Sequence, residues 1–146
     1  MNSFDLPELV GRRCAAVSRF VHQFTGEPAT STGPLELIWD DGQVTVLDVR
    51  SDWTLDVSSD PWVDPYLEAT PPEREHLGRE VGLWSRILID ESADDLSAVV
   101  GARVTAAEPW HNEIGELAGA DITFDTARIT LRQWAGDLVV VTSRKP

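Results

Sequence analysis

The sequence predicts a mainly β protein with one central helix, built as an internally duplicated β-meander that closes into a two-sheet sandwich or flattened barrel. Three observations predict it. First, the chain repeats itself: Leu6, Val10, Gly11, Arg13 and Ala16 recur ninety residues on as Leu96, Val100, Gly101, Arg103 and Ala106. At an offset of 85, Leu35–Ser59 aligns with Ala120–Arg144 without a gap, and apolar positions fall on apolar positions. Second, both copies alternate apolar and polar residues with the period of two expected of strands. Third, one segment between them, and only one, carries helical spacing. Two meanders that each expose an apolar face gain a core by facing each other. The 146 residues then form a single domain: repeat one at about 5–60, a connecting loop and helix at about 61–94, and repeat two at about 95–146.

Each copy opens with a short helical turn, "DLPEL" and "DDLSAVV", closed by Gly11 and Gly101 in the left-handed conformation that Gly adopts cheaply. A first strand follows, with Cys14, Ala16, Ser18 and Phe20 on one face and Val104, Ala106, Glu108 and Trp110 on the matching face. In the second strand Leu35, Leu37 and Trp39 point inward, Glu36 and Asp40 outward. "DDG" at Asp40–Gly42 suits a tight hairpin. Strand three spans Gln43–Val49 and strand four Trp53–Ser58. Thr70 caps a helix that starts at Pro71 and Pro72 with Glu73 in its first turn. Leu77, Val81, Trp84 and Leu88 continue one helical face, which would cover an open end or edge of the sheets, although "RILID" also suits an extra strand.

Composition narrows the function. Lys+Arg is 12 against Asp+Glu 25, a net charge of −13 that repels nucleic-acid backbones and anionic membranes and favours a basic partner. Eleven of the cations are Arg and one is Lys145, as expected of a GC-rich bacterial genome. Cys14 stands alone, the N-terminus lacks a signal-peptide pattern, and no apolar run is long enough to span a bilayer. A cytoplasmic protein is expected. Six Trp residues should include several core anchors.

Catalytic and metal motifs are absent. His22, His76 and His111 have no metal-ligand spacing. Cys14 aligns with Val104 and reads as a small buried hydrophobe. No nucleophile elbow or phosphate loop occurs. No catalytic, cofactor-binding or metal residues and no cofactor are therefore assigned.

The acidic residues are unevenly placed: residues 1–60 carry −6, 61–94 carry −5 and 95–146 only −2. Asp40, Asp41, Asp48, Asp52, Asp56, Asp60 and Asp64, with Trp62 and Tyr66 as amphipathic anchors, are the expected partner-binding face. The short Leu turn, the "VG-x-R" of Val10–Arg13 and Val100–Arg103, the hairpins at Trp39–Gly42 and Phe124–Ala127, and the acidity make the chain similar to small acidic uncharacterised bacterial proteins. Some of these are immunity proteins of polymorphic toxin systems. That resemblance implies a non-catalytic cytoplasmic binder that occludes a toxin. An alternative is a small-ligand protein with a pocket between the sheets or under the central helix, lined by some of Trp39, Trp53, Trp84, Trp110 and Trp134. A third is an enzyme using carboxylates with His111. The expected partner is a basic protein, with neither nucleic acid nor membrane, for a monomer or homodimer.

Overall fold

The computed structural model describes residues 6–27, 33–61, 63, 65–89, 95–134 and 136–144. Among the described residues, nine strands form two antiparallel sheets. β1 (Cys14–Gln23), β2 (Leu35–Trp39), β3 (Val44–Val49), β4 (Leu55–Ser58) and β5 (Leu83–Ile89) make a five-stranded sheet in the order β4-β3-β2-β1-β5. β6 (Val104–His111), β7 (Leu117–Phe124), β8 (Ala127–Trp134) and β9 (Asp137–Arg144) make a four-stranded meander in sequence order. Among the described residues one α-helix, α1 (Pro71–Glu80), lies between β4 and β5. Among the described residues no helix is long and apolar enough to cross a membrane.

Leu35, Leu37, Trp39, Leu47 and Val57 of one sheet and Ala120, Ile122, Phe124, Ile129 and Leu131 of the other share one buried cluster, as in a sandwich-like two-layer packing. The 3-10 turns Leu6–Leu9 and Asp95–Val99 add Leu6, Leu9, Leu96 and Val99 to the same cluster.

The two halves meet through reciprocal bonds. Gly11 N–H donates to Val104 O at 2.9 Å and Gly101 N–H to Cys14 O at 2.7 Å. Cys14 N–H donates to Ala102 O at 2.8 Å and Val104 N–H to Arg12 O at 2.9 Å. Each guanidinium reaches across as well: Arg13 Nη1 donates to Gly101 O at 2.7 Å, Arg103 Nη1 to Gly11 O at 2.6 Å. Gly11 and Gly101 have φ of +93° and +83°, the left-handed conformation expected of them.

Four expectations need correction. The first-strand face is not continuous. A bulge between Cys14 and Ala16 and another between Val104 and Ala106 shift the alternation by one residue. Cys14 and Val17, and likewise Val104 and Ala107, therefore point into the common core. Ser18 and Phe20 are buried on the opposite face, where Ser18 stands across from Glu36. Glu36 points away from the core as expected but is buried, ion-paired to Arg86 at 2.7 Å.

The helix ends at Glu80. The Thr70–Glu73 capping box forms its start, and Gly82, at φ +77°, turns the chain. Trp84 and Leu88 belong to β5, which pairs with β1, so the extra-strand alternative holds. Trp53 precedes β4 at φ +67° and is exposed, unlike its aligned residue Leu138 in the core. Of the six Trp residues, Trp39 is buried in the core, Trp53, Trp84, Trp110 and Trp134 are exposed, and Trp62 lies outside the described residues.

Candidate functional site

Four connections or strand ends converge beside the β3–β4 turn. Trp53 stands on that turn, fixed by Trp53 N–H to Arg50 O at 2.9 Å and Arg50 N–H to Thr54 O at 2.8 Å. Asp52 locks the same turn: its Oδ1 accepts from Thr54 Oγ1 at 2.6 Å and Thr54 N–H at 3.1 Å. Those two bonds, with a smaller effect of Arg50, hold its carboxyl below the usual range.

Trp110 projects from the solvent face of β6. Arg132 of β8 lays its guanidinium 4.6 Å from the indole centroid. Gly119 of β7 stands between them in register. A Cβ there would come 2.4 Å from Leu131 O and 3.0 Å from Arg132 Nη1, so only Gly lets the guanidinium lie flat. Arg132 Nη1 donates to Leu131 O at 2.8 Å, and Nη2 is 3.7 Å from Asp121. The β6–β7 turn is tied by Asn112 Oδ1, which accepts from Ile114 N–H at 3.1 Å and Glu116 N–H at 2.9 Å, presenting Ile114 at its tip. Trp134 ends β8, and Gly136 packs close to the Trp53 indole.

Together these residues surround an open depression of about 840 Å³. Trp53 is 55% exposed, Trp110 50% and Trp134 76%. Asp52 and Glu113 supply negative charge, and Asn112, Gln133, His111 and Arg132 supply hydrogen-bonding groups. The small-ligand alternative placed a Trp-lined pocket between the sheets or under the helix; this depression lies at a sheet end, on the solvent side of the four-stranded sheet. A smaller one of about 460 Å³ adjoins the same turns and is lined by Phe20, Asp48, Trp84 and Asp137 among others.

The expected acidic face is spread along the β3–β4 side. Asp40 and Asp41 occupy the β2–β3 hairpin and Asp52 the β3–β4 turn, at opposite ends of the six-residue β3, about 20 Å apart. Asp41 Oδ1 accepts from Gln43 N–H at 2.9 Å, shaping its hairpin. Asp48 and Asp56 stand directly opposite each other on β3 and β4. Arg50 pairs with Asp56 at 2.7 Å. Burial pushes the Asp48 carboxyl above its usual range against the opposing bond from Val49 N–H, and Asp56 adds to the rise. Asp60 follows β4, where its N–H donates to Ser58 Oγ at 3.1 Å. Tyr66 is half-buried: its Oη accepts from Trp84 N–H at 2.9 Å and its carbonyl from Arg74 Nη2 at 2.8 Å, fastening its loop to β5 and α1. Trp62 and Asp64 lie outside the described residues.

His22 packs on Trp84, with centroids 5.0 Å apart, and contacts Val81 O at 2.8 Å; His76 is exposed on α1; His111 lines the larger depression. Among the described residues no group of three or more His, Cys, Asp or Glu is arranged to hold a metal ion. Cys14 is buried and its thiol is pushed up to about 12 by burial, so its side chain is packing material.

Sequence reasoning named Trp53, Trp110 and Trp134 only as lining for an internal pocket and passed over Ile114, Gly119 and Arg132. A glycine inside an otherwise regular strand was the available signal, since it marks a close approach. No protein-family model matches the chain, and no curated protein or solved structure matches it significantly.

Proposed function

We propose that the chain is a non-catalytic binding module that docks a basic protein on the tryptophan-lined end of its sheets. The observation that carries this reading is the convergence of three tryptophans, each at least half exposed, from both sheets onto one depression. Exposed indoles cost solvation and are enriched where partners bind. Asp52 and Glu113 at the rim and the net charge of −13 favour a cationic partner. The Arg132–Trp110 contact demonstrates within the chain the chemistry a partner's Arg or Lys would use on Trp53 and Trp134. Asp48 on the adjoining strand adds to the attractive field. A toxin, the partner implied by the resemblance to immunity proteins, is one such basic protein. Ancestral duplication of one turn-plus-meander unit is part of the same proposal, supported by the paired bulges and the reciprocal bonds at Gly11 and Gly101.

The test is affinity capture from the host's lysate at low and high salt, comparing the wild-type chain with a Trp53→Ala/Trp134→Ala variant. A basic protein held by the wild type, shed by salt and missed by the variant supports the reading. Identical retention by both chains overturns it. Retention that is lost in the variant yet indifferent to salt removes the basic-partner element.

A further inference from the structure

We infer that the tryptophan-lined depression selects arginine: it seats an arginine side chain of the basic partner in preference to lysine, with the indoles of Trp53 and Trp134 as stacking faces and the carboxylates of Glu113 and Asp52 as acceptors. This rests on the docking role proposed above and adds the chemical group that the site distinguishes.

The lining already contains one such contact. Arg132 holds its guanidinium 4.6 Å from the centroid of Trp110, and both residues border the depression. The charge of Arg132 is met locally, by Leu131 O at 2.8 Å, Ala120 O at 3.4 Å and Asp121 at 3.7 Å. Trp110 is thereby occupied. Trp53 and Trp134 border the same depression, and among the described residues no cation lies over either ring.

The acceptors are fixed in place. Glu113 stands in the β6–β7 turn, where Asn112 N–H donates to Glu116 O at 2.9 Å and Gly115 N–H to Asn112 O at 3.0 Å. Among the described residues the Glu113 carboxylate makes no hydrogen bond or ion pair, so both its oxygens can accept the parallel N–H pair of a guanidinium. Asp52 commits Oδ1 to Thr54, which leaves Oδ2 to accept a further N–H. Its carboxyl, held below the usual range, is charged at neutral pH.

The shape of the site decides between the two basic side chains. The depression is open, so a cation in it keeps part of its water. An ammonium is compact and strongly hydrated, and gains little from an indole under those conditions. A guanidinium is planar and weakly hydrated, lies flat on an indole and forks onto a carboxylate.

The full chain is titrated with blocked peptides of alternating Gly-Arg, Gly-Lys or Gly-Gln at matched length and ionic strength. The tryptophan indole N–H signals are followed by NMR, with Trp53→Phe and Trp134→Phe assigning two of them. Gly-Arg should shift the Trp53 and Trp134 signals and bind about fivefold more tightly than Gly-Lys. Glu113→Gln, with its fold confirmed by circular dichroism, should bring the two cationic peptides to within about twofold of each other. Equal or tighter binding of Gly-Lys overturns the inference and leaves the basic-partner reading standing. So does a preference for Gly-Arg that survives Glu113→Gln, since the fork is then absent. If neither cationic peptide moves the two indole signals, the inference fails and the lysate capture alone judges the docking role. Shifts from uncharged Gly-Gln as large as those from Gly-Arg overturn both.

Discussion

The hydrogen bond between Trp39 and Thr45 allows a sharp energetic test of the core. Trp39 is 1% exposed, and its Nε1–H donates to Thr45 Oγ1 at 2.9 Å inside the cluster that joins the two sheets. Thr45→Val keeps the shape but removes the acceptor, leaving a buried N–H without a partner, which costs about 1–3 kcal/mol. Trp39→Phe removes the donor and part of the ring, a loss of about 2 kcal/mol or more from burial and cavity together. In the Trp39→Phe background the Thr45 hydroxyl has lost its donor, so adding Thr45→Val should be neutral or stabilising. The coupling between the two sites is then about 1–3 kcal/mol. With a urea slope of about 2 kcal/mol/M, Thr45→Val alone moves the midpoint down by about 0.5–1.5 M. Far-UV circular dichroism is the suitable probe, since it does not depend on the indole being mutated. An equal midpoint shift in both backgrounds would refute the reasoning.

Two further outcomes are expected. Gly11→Ala and Gly101→Ala should each cost about 1 kcal/mol and by similar amounts, because both residues are left-handed and neither Cβ would meet another atom within 4 Å; thermal melts that separate the two widely would contradict the equivalence of the turns. Asp48 has its folded carboxyl pushed above the unfolded range, so its stabilising contribution is complete below the unfolded value and is lost as pH rises through the raised one. Asp48→Asn should therefore gain on the wild type between acid and neutral pH, and parallel stability curves in urea titrations from pH 3.5 to 7 would show that burial imposes no such penalty.

Strand positions were legible because alternation is a local property. Leu35, Leu37 and Trp39 alternate inward as read, and Gly11 and Gly101 take the backbone their placement requires. The bulges were not legible, because a bulge is defined against the partner strand: nothing within "CAAVSRF" says that Cys14 and Val17, rather than Cys14 and Ala16, share the core face. The helix was extended too far because Leu77, Val81, Trp84 and Leu88 fit helical spacing by coincidence, while Gly82 and the pairing of Leu83–Ile89 with β1 decide otherwise. The site was hidden for a different reason. Trp53, Trp110 and Trp134 are scattered along the chain and meet only through topology, and hydrophobic bulk alone suggested that they were core.

The inner faces explain why those tryptophans are outside. Ala120 and Ala127 line the buried side of the four-stranded sheet beside Ile122, Phe124, Ile129 and Leu131. Trp39 supplies the one large described indole of that core. Trp53, Trp110 and Trp134 sit instead on a turn, on a solvent-facing strand position and at a strand end, held by backbone bonds at Arg50, by Gly119 and by the β8–β9 pairing. Their removal takes little buried area from the fold, so Trp53→Ala and Trp134→Ala should leave stability within about 0.5 kcal/mol, as for ordinary surface changes. On the proposed reading, stability and docking are carried by separate sets of residues. A binding defect in those variants therefore reports on the surface itself, whereas a defect in Trp39→Phe would report on the core beneath it.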